Sequence, residues 1–171
     1  MLNNQSDQHP QPGSTLKSLG ILLFFLILCF GVAWTGAQVS PGIASSEWYD
    51  QLNKPDWNPP GWLFGPVWTT LYIMMAFASW RIWRRLGFGG GKKELSLFGI
   101  QLFLNGLWSQ LFFNAQNPGL AFIEIIVLLA AIIATSVSFY RRDRLAGWLM
   151  VPYILWVSFA TVLNGTIWVI N

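Results

Sequence analysis

Five stretches of this chain, at about residues 16–39, 62–86, 95–114, 119–140 and 145–170, are continuously apolar, with charge near their ends apart from Glu124. A helix needs about 20 such residues to cross the hydrocarbon core of a bilayer, so each stretch is long enough to span one. Strands of a membrane barrel would instead alternate apolar and polar residues over about 10 positions. The expected fold is an all-α membrane protein, a bundle of five transmembrane helices. Only 10% of the 171 residues are charged, against about 25% in a soluble domain. The expected organisation is a disordered polar tail over residues 1–15 and one membrane domain over residues 16–171. The segments between the spans are too short to hold a soluble catalytic domain, so function must reside within the bundle or at its rims.

Charge sorting tests the count. With five spans, the N-terminal side and the second and fourth loops share one face, and that face collects Lys17, Arg81, Arg84, Arg85, Lys92, Lys93, Arg141, Arg142 and Arg144. Lys54 alone falls on the other. By the positive-inside rule the basic face is cytoplasmic, which predicts a bacterial inner membrane with Asn171 on the far side. These cations read as topology determinants, and no nucleic-acid partner is expected. A cleaved signal peptide is the rival for the first stretch, given Lys17 before an apolar run and Thr35-Gly36-Ala37 after it. The run exceeds the 7 to 15 residues of a typical signal core, and its removal would upset the charge sorting. Cys29 stands alone, so neither a disulfide framework nor a metal site is expected, and no cofactor is required.

The loop over residues 40–61, with Trp62 after it, carries Trp48, Tyr49, Trp57 and Trp62 interleaved with Pro55, Pro59 and Pro60. Proline restricts itself and the residue before it to extended or polyproline backbone, so the loop is preorganised. An interfacial aromatic belt is the plainer explanation, but four rings between prolines exceed what two helix ends require. Three spans then repeat an aromatic stripe with a small or polar partner: Trp68, Thr69 and Tyr72; Asn105, Trp108, Ser109 and Phe112; and Trp156, Phe159, Ala160, Leu163 and Asn164. Close packing and interhelical hydrogen bonds would use the same residues. The functional alternative is an apolar pocket with a few placed polar groups, suited to a flat lipophilic aromatic ligand.

Glu124 is the only acid well inside a span. Such carboxylates are candidates for function, unless the side chain reaches the rim or bonds a neighbouring helix. Gly99 and Gly106, seven apart, form a smooth stripe that is expected to seat a second protomer, contact within one protomer being the alternative.

Trp48-Tyr49, Lys54-Pro55, Trp57, Pro59-Pro60, Gly65-Pro66-Val67-Trp68-Thr69-Thr70-Leu71-Tyr72, Leu104-Asn105, Trp108, Phe112-Phe113, Val151-Pro152-Tyr153, Trp156, Phe159-Ala160-Thr161 and Leu163-Asn164 together resemble the translocator protein family, whose bacterial members are called tryptophan-rich sensory proteins. The resemblance runs from about Lys17 to Asn171. It implies a five-helix bundle, commonly a homodimer, that binds protoporphyrin IX or haem and, in animals, cholesterol and synthetic aromatic drugs. Carried over by position, the ligand pocket would be lined by Tyr49, Pro59, Trp68, Tyr72, Asn105, Trp108, Phe112, Trp156 and Ala160, under the first loop. Trp68 and Trp156 match a pair implicated in light-driven porphyrin breakdown, and would be the catalytic residues if porphyrin is degraded. The cholesterol motif of the animal members is not matched: the run from Ala160 to Asn171 has no Tyr and no terminal basic residue, so no high-affinity cholesterol site is expected. This departure and the charge sorting favour a bacterial member.

The leading functional expectation is a membrane sensor or scavenger of tetrapyrroles. A porphyrin or lipid transporter is the first alternative, although no internal repeat is visible. An enzyme that degrades porphyrin with light and oxygen is the second; no nucleophile triad or paired acid and base is present, so its chemistry would rest on the pigment and Trp.

Overall fold

The structure, a computed structural model, describes residues 12–39 and 47–171. Most of the tail expected over residues 1–15, and residues 40–46 of the first loop, lie outside the described residues. The first span is α1 (Pro12–Ala37), which begins four residues before Leu16 with Pro12 at its first position, where a missing N–H costs nothing. A five-residue helix, α2 (Glu47–Gln51), stands within the loop, and a 3₁₀ turn, Gly61–Leu63, leads into α3 (Phe64–Gly90). Next come α4 (Lys92–Ser109), a single π-helical turn (Gln110–Asn114), α5 (Pro118–Arg142), α6 (Arg144–Leu149) and α7 (Val151–Ile170). Five of the resulting segments are long and apolar enough to cross a membrane: Thr15–Ala37, Gly61–Gly90, Lys92–Asn114, Pro118–Arg142 and Arg144–Ile170.

The last span is not one straight helix. Pro152 has no N–H to give to the carbonyl four residues back, and its ring crowds that carbonyl. The chain therefore closes α6 at Met150, whose N–H bonds Gly147 O at 3.1 Å, and restarts as α7 with proline in its first turn. A second interruption falls at Gly87, which adopts φ +65°, a left-handed value that glycine accepts without penalty. The glycine-rich run from Leu86 to Gly91 is thus kinked at one residue.

α5 is central, packing against α4, α6 and α7, while α1 lies along α3 and α4. Lipid tails are as apolar as the side chains, so close fit rather than the hydrophobic effect brings helices together in a bilayer. Glycines provide that fit. A Cβ at Gly119 would stand 2.7 Å from Trp168 Nε1, and one at Gly165 would stand 2.7 Å from Phe122 Cε2, so α5 and α7 interlock reciprocally. The outer surface is apolar in turn: Leu19, Leu23 and Ile27 of α1, Ile123 and Val127 of α5, and Leu155 and Val162 of α7 are all exposed.

The two glycines expected to seat a second protomer separate. Gly99 faces outward, with nothing within 4 Å of a Cβ built on it. Gly106 packs inside the protomer, where a Cβ would meet Val32 Cγ1 at 3.2 Å. Gly106 thus admits α1 within the protomer, and Gly99 is open to a neighbour.

Candidate functional site

Beneath the first loop a cavity of about 550 Å³ opens between the helices. All nine positions from Tyr49 to Ala160 expected to line a pocket do line this cavity. α3 supplies Trp68 and Tyr72, four residues apart and hence on one face, their rings stacked with centroids 5.5 Å apart. From α4 and its π turn come Trp108 and Phe112, stacked at 5.0 Å and 22°. α7 adds Trp156, held edge-to-face against Phe64 at 5.7 Å, and the small residue Ala160. No Lys, Arg, His, Asp or Glu is among the described lining residues.

Several of the polar groups pair across the wall. Tyr72 Oη donates to Asn105 Oδ1 at 2.6 Å, and Asn105 Nδ2 donates to Tyr153 Oη at 2.9 Å, which ties α3, α4 and α7 together. Trp108 Nε1 donates to Asn164 Oδ1 at 3.0 Å, while Asn164 Nδ2 donates to Pro118 O at 2.9 Å. Each bond crosses between elements, so the pocket's polar side chains fix the wall as well as lining it.

The first loop is clamped over the cavity. Trp48 and Tyr49 meet Phe112, with centroids 5.8 and 6.3 Å away, and Trp57 meets Phe159 at 5.8 Å. The Lys54 ammonium donates to the carbonyls of Tyr49 and Leu52, closing the C-terminal end of α2, a favourable place for a cation, and stands 4.6 Å from the Tyr49 ring centroid. Burial pushes the Tyr49 phenol above its usual range; a long hydrogen bond to Asn58 opposes this and the Asp50 carboxylate adds to it. At the chain's end Asn171 pairs reciprocally with the loop backbone: Asn53 N donates to its Oδ1 at 2.9 Å and its Nδ2 donates to Asn53 O at 3.0 Å.

Sequence reasoning assigned no site residue to α1, yet Phe30, Ala33 and Gly36 form part of the wall. Their spacing of three is a helical face, but α1 is apolar on every side and nothing marks that face. The π turn was also missed. It brings the consecutive residues Phe112 and Phe113 to the same cavity, and such turns recur at functional positions.

An aromatic cavity with no charged side chain among its described lining residues, at one rim of five helices long and apolar enough to cross a membrane, defines a class: small integral membrane proteins. A sequence profile described as the TspO/MBR family matches residues 24–169. The chain is 43% identical over 159 residues to "Tryptophan-rich protein TspO" of Chlorobaculum tepidum, covering 91% of this chain and 98% of that one. It is 40% identical over 144 residues to "Tryptophan-rich sensory protein" of Cereibacter sphaeroides (84% and 87% covered), and 41% identical over 125 residues to "Translocator protein" of Homo sapiens (71% and 73% covered). This chain belongs to the TspO/MBR family and is a multi-pass membrane protein.

Proposed function

We propose that the protein is a membrane sensor or scavenger of tetrapyrroles, holding protoporphyrin IX or haem in the cavity beneath the first loop. The observation that carries this reading is the lining itself: Trp68 on Tyr72, Trp108 on Phe112, and Trp156, arranged around a space of about 550 Å³ with no charged side chain. That volume lies within the roughly 300–1,000 Å³ of sites that bury drug-sized ligands. A flat macrocycle stacks on the indoles, and offset or edge contacts between aromatic rings contribute about 0.5–1.5 kcal/mol each beyond area burial. An unpaired carboxylate is costly to bury, so the propionates point to the loop rim and the ring enters first. Haem iron is held in proteins by His, Cys, Met or Tyr, and among the described lining residues these are Tyr49 and Tyr72, each already hydrogen-bonded. The metal-free macrocycle is therefore favoured over haem.

The charged end of the bundle supports an inner-membrane orientation with that end in the cytoplasm, and Gly99 supports a homodimer seated on α4. Transport would use the same cavity, and the name of the human relative points that way; light-driven breakdown would use Trp68 and Trp156, which both face the bound ring. Trp156→Phe is expected to weaken porphyrin binding about three- to tenfold, the equivalent of one lost aromatic contact, and to reduce quenching of Trp fluorescence. Unchanged affinity and quenching would count against this seat.

A further inference from the structure

Among the described residues Glu124 has no hydrogen-bond partner on either carboxyl oxygen, although only 8% of the residue is exposed and it lies inside the span Pro118–Arg142. It neither reaches the rim nor bonds a neighbouring helix, the two structural explanations that its sequence position left open. It shares the inward face of α5 with Ala121, Ile125 and Leu128, and Ile125 and Leu128 belong to the same core as Tyr153. It stands within electrostatic range of that tyrosine.

The hydrogen-bond chain at the cavity wall has a direction. Tyr72 donates to Asn105, and Asn105 donates to Tyr153. The proton of the Tyr153 hydroxyl is then the end of the chain, and among the described residues no acceptor takes it. The opposite polarity is equally complete: if the Asn105 amide turns over, Tyr153 donates to Asn105, Asn105 donates to Tyr72, and the Tyr72 proton becomes free to face the cavity. The two polarities treat Glu124 oppositely. In the first, Tyr153 offers a proton and favours a carboxylate; in the second, Tyr153 offers only a lone pair and favours the protonated acid as donor.

We propose that Glu124 is a proton-binding site wired to the cavity through Tyr153, Asn105 and Tyr72, so that a ligand accepting a hydrogen bond from Tyr72 reverses the chain and is bound together with one proton at Glu124. No hydrogen bond joins Tyr153 to Glu124 directly, so the link between them runs through water, and the proton comes from bulk water and returns to it. Among the described residues no cation pairs with the acid. The titratable group facing it from α7 is Tyr153; Tyr72 of α3 and Cys29 of α1 stand further along the same cluster. The other charged groups of α3, α4, α5 and α6, namely Arg81, Arg84, Arg85, Lys92, Lys93, Glu94, Arg141, Arg142 and Arg144, belong with the capping Asp143 to the charged rim, where Arg81 and Arg85 pair with Asp143, and Arg142 with Glu94. Ionisable groups within a membrane span mark proton and ion pathways in just such settings.

Only the ligand half of this inference rests on the tetrapyrrole reading, so two measurements separate the claims. The first uses no ligand: infrared spectra of the full chain in lipid, recorded against pH, follow the carboxylic acid C=O stretch that Glu124→Gln removes. The band should titrate, and Tyr153→Phe, which deletes the donor, should move its midpoint to higher pH. A band that does not titrate, or a midpoint that Tyr153→Phe leaves in place, overturns the site and its wiring. The second follows the affinity for protoporphyrin IX dimethyl ester, whose esterified propionates do not titrate, against pH. Affinity should rise up to tenfold per unit as pH falls through the midpoint, and Glu124→Gln should flatten the profile near the low-pH affinity. A wild-type profile that is flat, or a slope that survives in Glu124→Gln, overturns the coupling. If the ester does not bind at all, the tetrapyrrole reading fails with the coupling, while the infrared titration still decides whether Glu124 is a proton site.

Discussion

Asp143 shows how a single side chain holds one end of the bundle. One oxygen takes Arg81 Nε and Nη2 at 3.1 and 2.8 Å and Arg85 Nε at 2.8 Å; the other accepts from Ala146 N at 3.0 Å and caps α6. Burial pushes its carboxyl up, but the Arg81 hydrogen bond, the Ala146 N–H and the charges of Arg81 and Arg85 together outweigh it and hold the group below the usual carboxylate range. The sign follows from linkage. A depressed folded-state value means the stabilisation is fully present above the unfolded value, about 3.9, and is lost as pH falls through the folded one. Asp143→Asn keeps the cap and removes the charge. Arg81 is 27% and Arg85 56% exposed, which screens the pair, so the expected cost is about 1–3 kcal/mol. Thermal unfolding in detergent at neutral pH measures it, and the variant should lose the wild type's extra destabilisation in acid. How much of the site was legible at this scale depended on the distance over which a residue acts. Trp68 and Tyr72 share a face because they are four apart, which any helix shows. Tyr153 matters because it meets Asn105 across two helices, and no local spacing announces that.

Elements show the same divide. The five spans were readable because apolar length is a property of each segment alone. The first loop was read as a preorganised cover, but α2 within it was not: its five residues are stabilised by Lys54 at one end and by Trp48 and Tyr49 packed on Phe112, contacts that exist only once α4 is in place. The break between α6 and α7 was present in the sequence as Pro152, though hidden by unbroken apolarity on both sides. The loop also depends on α7, since the amide of Asn171 holds the backbone of Asn53 by two hydrogen bonds. Each such bond contributes about 1 kcal/mol net. Asn171→Ala should therefore loosen the cover by about 1–2 kcal/mol and speed ligand release roughly five- to thirtyfold, with little change in overall stability. Stopped-flow displacement of bound protoporphyrin IX, alongside a melting curve, separates those effects. A release rate equal to the wild type would show that the loop is held by its aromatic contacts alone.

For the whole molecule, the two ends of the bundle differ in kind. One rim is cross-linked by Arg81, Arg85, Arg142, Glu94 and Asp143, and there the helices are bound together. The other rim holds the aromatic cavity, covered by the first loop. Association of two such bundles is expected along the outer face of α4, where Gly99 leaves a smooth surface between the exposed Ile100 and Phe103. Gly99→Cys should give a disulfide-linked dimer on mild oxidation in the membrane, and monomers only would place any dimer contact elsewhere.

The claim on which the account turns is that the cavity seats a tetrapyrrole. Titration of the purified, detergent-solubilised protein with protoporphyrin IX in the dark, followed through Trp fluorescence, tests it most directly. The account predicts saturable quenching at micromolar or lower concentration, weakened in Trp156→Phe, and an absorbance spectrum unchanged when the complex is then illuminated in air. Loss of the porphyrin bands with a discrete new pigment would make the protein an enzyme rather than a sensor. Quenching that never saturates would contradict the central claim.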